Sequence, residues 1–149
     1  MIDAASLCIA DIETVLQSIA KLKGKVLQVY SEDELLDKTK PIAFPAAGVT
    51  YEGMRAVGEA GSTHKVGISA EVVLSIILVE TFSNVSSANT KKLSPPILDA
   101  IREGMMARRS PTGHFWKFIV EAAAKPANGT VLWVSRWSTP VQLVPTPAR

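Results

Sequence analysis

Apolar residues recur at three- and four-residue intervals through Leu7, Ile12, Val15, Leu16, Ile19 and Leu22, which predicts a first amphipathic helix. Asp3 or Ser6 can cap its start, Lys21 and Lys23 suit its negative end, and Gly24 is the expected stop. Lys25 to Tyr30 then carries the β-branched and aliphatic bulk of a strand, so helix and strand form an αβ hairpin. The pattern loosens after Ser31: Glu32 to Asp37 fits one helical turn, and Pro41 and Pro45 forbid a central strand between them.

Ala46 to Met54 is a second strand candidate, and the small polar run Gly58 to Thr63 reads as a mobile hairpin tip. Val66 to Phe82 has the clearest strand pattern. Val72, Leu74, Ile76 and Leu78 share one face, while Val73, Ile77 and Val79 make the other nearly as apolar. Such a strand belongs in the middle of a sheet, with helices on one face and a further helix or a neighbouring subunit on the other.

Ser83 to Thr90 is a polar loop leading to Ser94, an N-cap followed by Pro95, where a missing N–H costs nothing. The helix it starts places Ile97, Leu98, Ile101 and Met105 on one face, Asp99 near its positive end, and Arg108 and Arg109 at its negative end. His114 to Ala123 and Val131 to Leu143 are strands joined by the turn Pro126-Ala127-Asn128-Gly129, and Pro140 limits the second or marks an edge. The expected architecture is α+β: one mainly antiparallel or mixed sheet packed by two main helices, ending in a C-terminal β-hairpin. Residues 1–149 form a single domain, with about 145–149 a flexible tail.

Composition narrows the function classes. A chain of 149 residues with 47% hydrophobic and 20% charged residues folds around one core, and its formal net charge of +2 is too small for a nucleic-acid or membrane signature. Cys8 is the single cysteine, which excludes an internal disulfide and favours a reducing compartment. The first residues lack a basic segment, and Asp11 and Glu13 interrupt the apolar residues after them, so no secretory signal is expected. The apolar run Val72 to Val79 is too short for a membrane helix.

Catalytic grammar is missing. Gly67-Ile68-Ser69-Ala70-Glu71 approaches a nucleophile elbow, yet Glu71 stands where the second Gly belongs and a strand continues where a helix is required. His64 and His114 are the only histidines and have no second ligand nearby in sequence; no phosphate-loop spacing involves Gly58 or Gly61. Catalytic, cofactor and metal residues are therefore expected to be none. Trp116, Trp133, Trp137, Phe115 and Phe118 alternate as in a covered sheet or subunit interface, rather than as a base-stacking platform. Arg102, Arg108 and Arg109 are either solvated helix-end cations or a contact patch, and the surplus apolarity of the central strand favours contact.

Three segments carry a family resemblance: Ser94-Pro95-Pro96-Ile97-Leu98-Asp99-Ala100-Ile101-Arg102, Ser110-Pro111-Thr112-Gly113-His114-Phe115-Trp116-Lys117-Phe118, and Trp133-Val134-Ser135-Arg136-Trp137-Ser138-Thr139-Pro140-Val141. With the order of elements around them, the chain resembles the tail terminator proteins of long-tailed phages of the Mu-like and lambda-like kind. The resemblance covers nearly the whole chain, though the N-terminal half matches in layout only and Gly58 to Lys65 matches no family pattern.

That resemblance implies a non-enzymatic virion protein, made in the host cytoplasm, that forms a homohexameric ring on the tail tube. The ring would stop tube polymerisation, meet the head–tail connector, touch a sheath where the tail has one, and leave a channel through which DNA passes without sequence-specific binding. Expected assembly contacts are Ser62, Thr63, His64 and Lys65 in one loop, Asn89, Lys91 and Lys92 in another, and Arg102, Arg108 and Arg109 on the second helix. Alternatives are a head–tail connector or stopper ring, a nucleic-acid-binding α/β domain, and a small hydrolase using Ser69.

Overall fold

The computed structural model describes residues 3–28, 45–57, 67–81, 94–127 and 130–143. Helix α1 (Ala4–Gln17) is followed by strands β1 (Val26–Gln28), β2 (Ala46–Ala56) and β3 (Ile68–Thr81), helix α2 (Ser94–Met106), and strands β4 (Lys117–Ala127) and β5 (Thr130–Leu143). One five-stranded sheet has the order β1-β2-β3-β5-β4. Among the described strands β1 alone pairs in parallel, with β2, and the other three pairings are antiparallel, so the sheet is mixed. The fold is α+β with a C-terminal strand pair, as the hydrophobic pattern predicts.

Alternation along β3 sorts the sheet into two faces. Val72, Leu74, Ile76 and Leu78 join Ala47, Val49 and Trp137 beneath Cys8, Ile12, Val15 and Leu16 of α1 and Ile97, Leu98, Ile101 and Met105 of α2 in one core. At roughly 1.5–3 kcal/mol for each large apolar side chain removed from water, this cluster holds the domain together. On the opposite face Ile77, Val79 and Leu132 are buried, with Leu27, Ala124 and Val134 packed against them. β3 is thus central, and both of its faces are apolar toward its C-terminal end.

Several expectations about element ends need correction. Asp3 is the N-cap of α1: its Oδ1 accepts the Ser6 N–H at 2.7 Å. Leu7 is 41% exposed, because the buried stripe runs through Ala5, Cys8, Ile12, Val15 and Leu16, about 100° of helix rotation away. α1 stops at Gln17, short of Gly24, so Lys21 and Lys23 lie beyond its last turn. Ser18 causes the early stop: its hydroxyl donates to Val15 O at 2.5 Å, competing with the helix ladder, and Ile19 N then bonds Leu16 O at 3.1 Å in a tighter turn. Gly24, at φ 77°, still makes the exit into β1.

The second helix begins at Ser94 itself and ends at Met106, which leaves Arg108 and Arg109 past its end. His114 to Trp116 are not part of β4. They belong to a tight turn in which Ser110 N donates to His114 O at 2.7 Å and Gly113 takes φ 89°. Pro140 lies within β5, opposite Glu71 of β3. β4 begins opposite Ser138, so among the described residues β5 at Pro140 has β3 alone as a sheet neighbour, and one of its sides there is an edge of the kind that tolerates proline. The segments Val29 to Phe44, Gly58 to Val66 and Phe82 to Leu93, the turn residues Asn128 and Gly129, and the tail from Val144 lie outside the described residues.

Candidate assembly surface

The side chains expected to make contacts fall into two groups. Ser62, Thr63, His64, Lys65, Asn89, Lys91 and Lys92 lie outside the described residues. The three arginines are described, and each is held differently. Arg102 Nη1 donates to both carboxylate oxygens of Glu121 on β4, at 2.6 and 2.5 Å, and its other terminal nitrogen pairs with Asp99. Glu121 first, and Asp99 after it, push the guanidinium pKa up, so Arg102 acts as a clamp between α2 and β4.

Arg108 Nη2 lies 2.8 Å from Asp11 Oδ1 of α1, a carboxylate whose side chain is only 10% exposed. Asp11 Oδ2 also accepts the Trp116 indole N–H at 2.9 Å. One carboxylate therefore ties α1 to the segment after α2 and to the entry of β4. Arg109 meets no carboxylate among the described residues: Nη1 donates to Gly113 O at 2.9 Å, and the guanidinium lies 4.5 Å above the Phe115 ring. Arg109 and Phe115 form an exposed cation–ring pair, and Phe115 is 56% exposed.

Beyond the cations, and besides Leu7 of α1 and Met106 of α2, exposed apolar residues lie in two parts of the sheet. The first adjoins that pair: Phe118, Ile119 and Val120 are exposed along β4, an edge strand. The second runs along β2 to the end of the sheet where β2 finishes and β3 starts: Tyr51 is exposed midway along β2, and Met54, Val57, Ile68 and Leu143 nearer that end. Ile68 and Leu143 face each other across β3 and β5. Of these residues the alternation pattern singled out Phe118 alone, because nothing in a strand's own pattern says whether it will lie at an edge. Gly67 enters β3 at φ 121°, with Leu143 O only 2.6 Å from where a Cβ would stand, so the sheet end admits only glycine there.

Between these regions, the sheet face away from the helices bears two charged ladders. Arg55 donates to Glu71 at 2.8 and 3.0 Å, with Lys117 Nζ 3.6 Å from the same carboxylate. Arg136 lies 2.8 Å from Glu52, which also accepts the Ser75 hydroxyl at 2.5 Å. These pairs tie β2, β3, β4 and β5 together across the surface.

Reactive geometry is sparse among the described residues. Ser69 is exposed on β3 and its hydroxyl donates to Gln142 Oε1 at 3.0 Å, with no imidazole in contact. Burial, and then Asp11, push the Cys8 thiol up to about 11, so it stays protonated at neutral pH. Among the described residues no three His, Cys, Asp or Glu side chains gather as a metal site would require.

No family model matches the chain, and no curated protein matches it. Among solved structures it is similar to a chain of the virion of a native gene transfer agent particle, with a TM-score of 0.61 at 12% identity. The match covers 95% of this chain and 99% of the other, so the likeness is one of whole folds.

Proposed function

We propose that this chain is a structural virion protein: a tail terminator that forms a six-membered ring on the tail tube, stops its growth and joins it to the head connector. The observation that carries the proposal is the end-to-end likeness of fold to a chain of a virion particle, 95% of this chain against 99% of that one. The three segments that resemble tail terminators support it: they form most of α2, the turn into β4, and most of β5, and the second of them carries the exposed Phe115 and Phe118. No reaction is involved. The work is geometric: a heterologous ring closes on itself and covers the exposed end of a growing tube.

In this proposal the loops bearing Ser62 to Lys65 and Asn89 to Lys92 reach neighbouring subunits or rings, and Arg109 with Phe115 contributes a contact on the subunit surface. The tube protein, the head–tail connector and other copies of the chain are the partners, and DNA passes through the channel without base recognition. The test is removal of the gene from a particle-producing host, with tail length measured by electron microscopy. Overlong or unjoined tails that regain uniform length on complementation are expected; uniform tails on filled heads without the protein would overturn the proposal.

A further inference from the structure

One row of the sheet runs across four strands as Tyr51, Leu74, Trp137 and Phe118. Its middle is fully buried, with Leu74 and Trp137 at 0% exposure, yet each end exposes an aromatic ring: Tyr51 at 43% and Phe118 at 45%. Phe118 meets the Trp137 ring edge-on at 5.2 Å, so the aromatic packing runs up to the β4 edge and stops there.

Both backbone edges beside those rings are open among the described residues. β4 is the last strand of the sheet, and on the other side β1 pairs with β2 only along Ala47 to Val49. Edge strands are usually protected by charge, proline or brevity. Here the stretch Phe118 to Ala124 carries one charge, Glu121, and Arg102 already neutralises it.

Strand direction decides how two copies can meet. β2, β3, β5 and β4 alternate in direction, so β4 runs opposite to β2. Copies related by rotation about an axis along the strands keep their directions, and β4 of one then lies antiparallel to β2 of the next. With the rows in line, Phe118 stands beside the neighbour's Tyr51. The other face fits in the same register: Lys117 shares a row with Gly53, which brings this cation to within one residue of the neighbour's Glu52 along β2. A two-fold pairing of β4 with β4 would leave Tyr51 exposed on both copies.

We infer that the occupant of these edges is a second copy of this chain, joined head to tail through β4 and β2 with Phe118 packed on Tyr51. The inference rests on the proposed ring and names the strands and residues that close it. Directly opposed side chains of an antiparallel pair have Cβ atoms about 4.5–5.5 Å apart, close enough for a short thiol cross-link.

The experiment uses full-length protein carrying Cys8→Ser, with Tyr51→Cys and Phe118→Cys alone and together. Each is treated with oxidant or a short bis-maleimide, both as purified protein and in particles from the complemented host. A covalent ladder from the double variant, with neither single variant cross-linking, is expected. Dimers from Phe118→Cys alone would overturn the inference in favour of a two-fold contact. Rings seen by imaging without any ladder would overturn it and leave the ring standing. Monomers in both preparations, without a ladder, would overturn the ring and the inference together.

Discussion

Asp11 on α1 and Trp116 at the entry of β4 are 105 positions apart in sequence and meet through a 2.9 Å hydrogen bond from the indole N–H. The same carboxylate holds Arg108 at 2.8 Å, and its side chain is 10% exposed. First helix, second helix and C-terminal hairpin are thereby fastened at one point. Substituting Asp11→Ala leaves the nearly buried indole N–H without its partner and removes a charge-assisted bond, and is expected to cost about 1–3 kcal/mol. Chemical denaturation measures it. In a double-mutant cycle with Trp116→Phe, a coupling energy near zero would count against this fastening.

Gly104 sits where α2 crosses α1, and a Cβ there would lie 2.7 Å from Val15 Cγ1. Val15 is buried and β-branched, so it has little rotamer freedom with which to move aside. Replacing Gly by Ala in an exposed helix gains roughly 1 kcal/mol, whereas overpacking costs about 1–3 kcal/mol. Gly104→Ala is therefore expected to lower the thermal midpoint. A raised midpoint would mean that the helices separate more easily than this packing implies.

Cys8 sets a pH dependence at the alkaline end. Its thiol is raised from an ordinary 9.0 to about 11 by burial and by Asp11. Above pH 9 the unfolded chain loses this proton while the folded chain keeps it, so stability present below that pH falls as pH rises toward 11. Cys8→Ala removes this contribution. Denaturation midpoints across that window should slope less steeply in the variant, and identical slopes would show that the thiol does not contribute. At neutral pH the native thiol should also resist alkylation until the protein unfolds.

Of the three arginines, Arg109 offers the cleanest test of a contact surface. Arg108→Glu would place a second carboxylate against Asp11 and damage the fold, and Arg102→Glu would do the same beside Glu121. Arg109 contacts a carbonyl and the Phe115 ring, so Arg109→Glu should keep stability within about 0.5 kcal/mol of the parent, read from the thermal midpoint, while weakening assembly. Complementation of tail assembly at wild-type level by this folded variant would reject the contact. Deleting Ser62 to His64 probes the loop in the same assay, where tails of normal length joined to heads would reject its role.

Much of the fold can be read from local chemistry. The i, i+4 stripe of Ile97, Ile101 and Met105 forms α2, the two-residue alternation of Val72, Leu74, Ile76 and Leu78 forms β3, and Asp3 caps α1, because each depends on neighbours within a turn or a pleat. Element ends were less legible. Ser18 stops α1 through a hydroxyl bond to the Val15 carbonyl, and the turn at Gly113 keeps His114 to Trp116 out of β4, events decided by particular hydrogen bonds rather than by periodicity.

By itself, then, the sequence determined the class of fold, two main helices on one mainly antiparallel or mixed sheet, since hydrophobic period and capping are properties of short segments. Tertiary structure alone decided strand order, and with it that β4 is an edge, that Phe118 and Tyr51 end one row, and that Asp11 holds both Trp116 and Arg108. The physical reason is that a residue's periodicity records which face it buries, whereas its neighbours across the sheet or between helices are chosen by how the whole chain closes on its core.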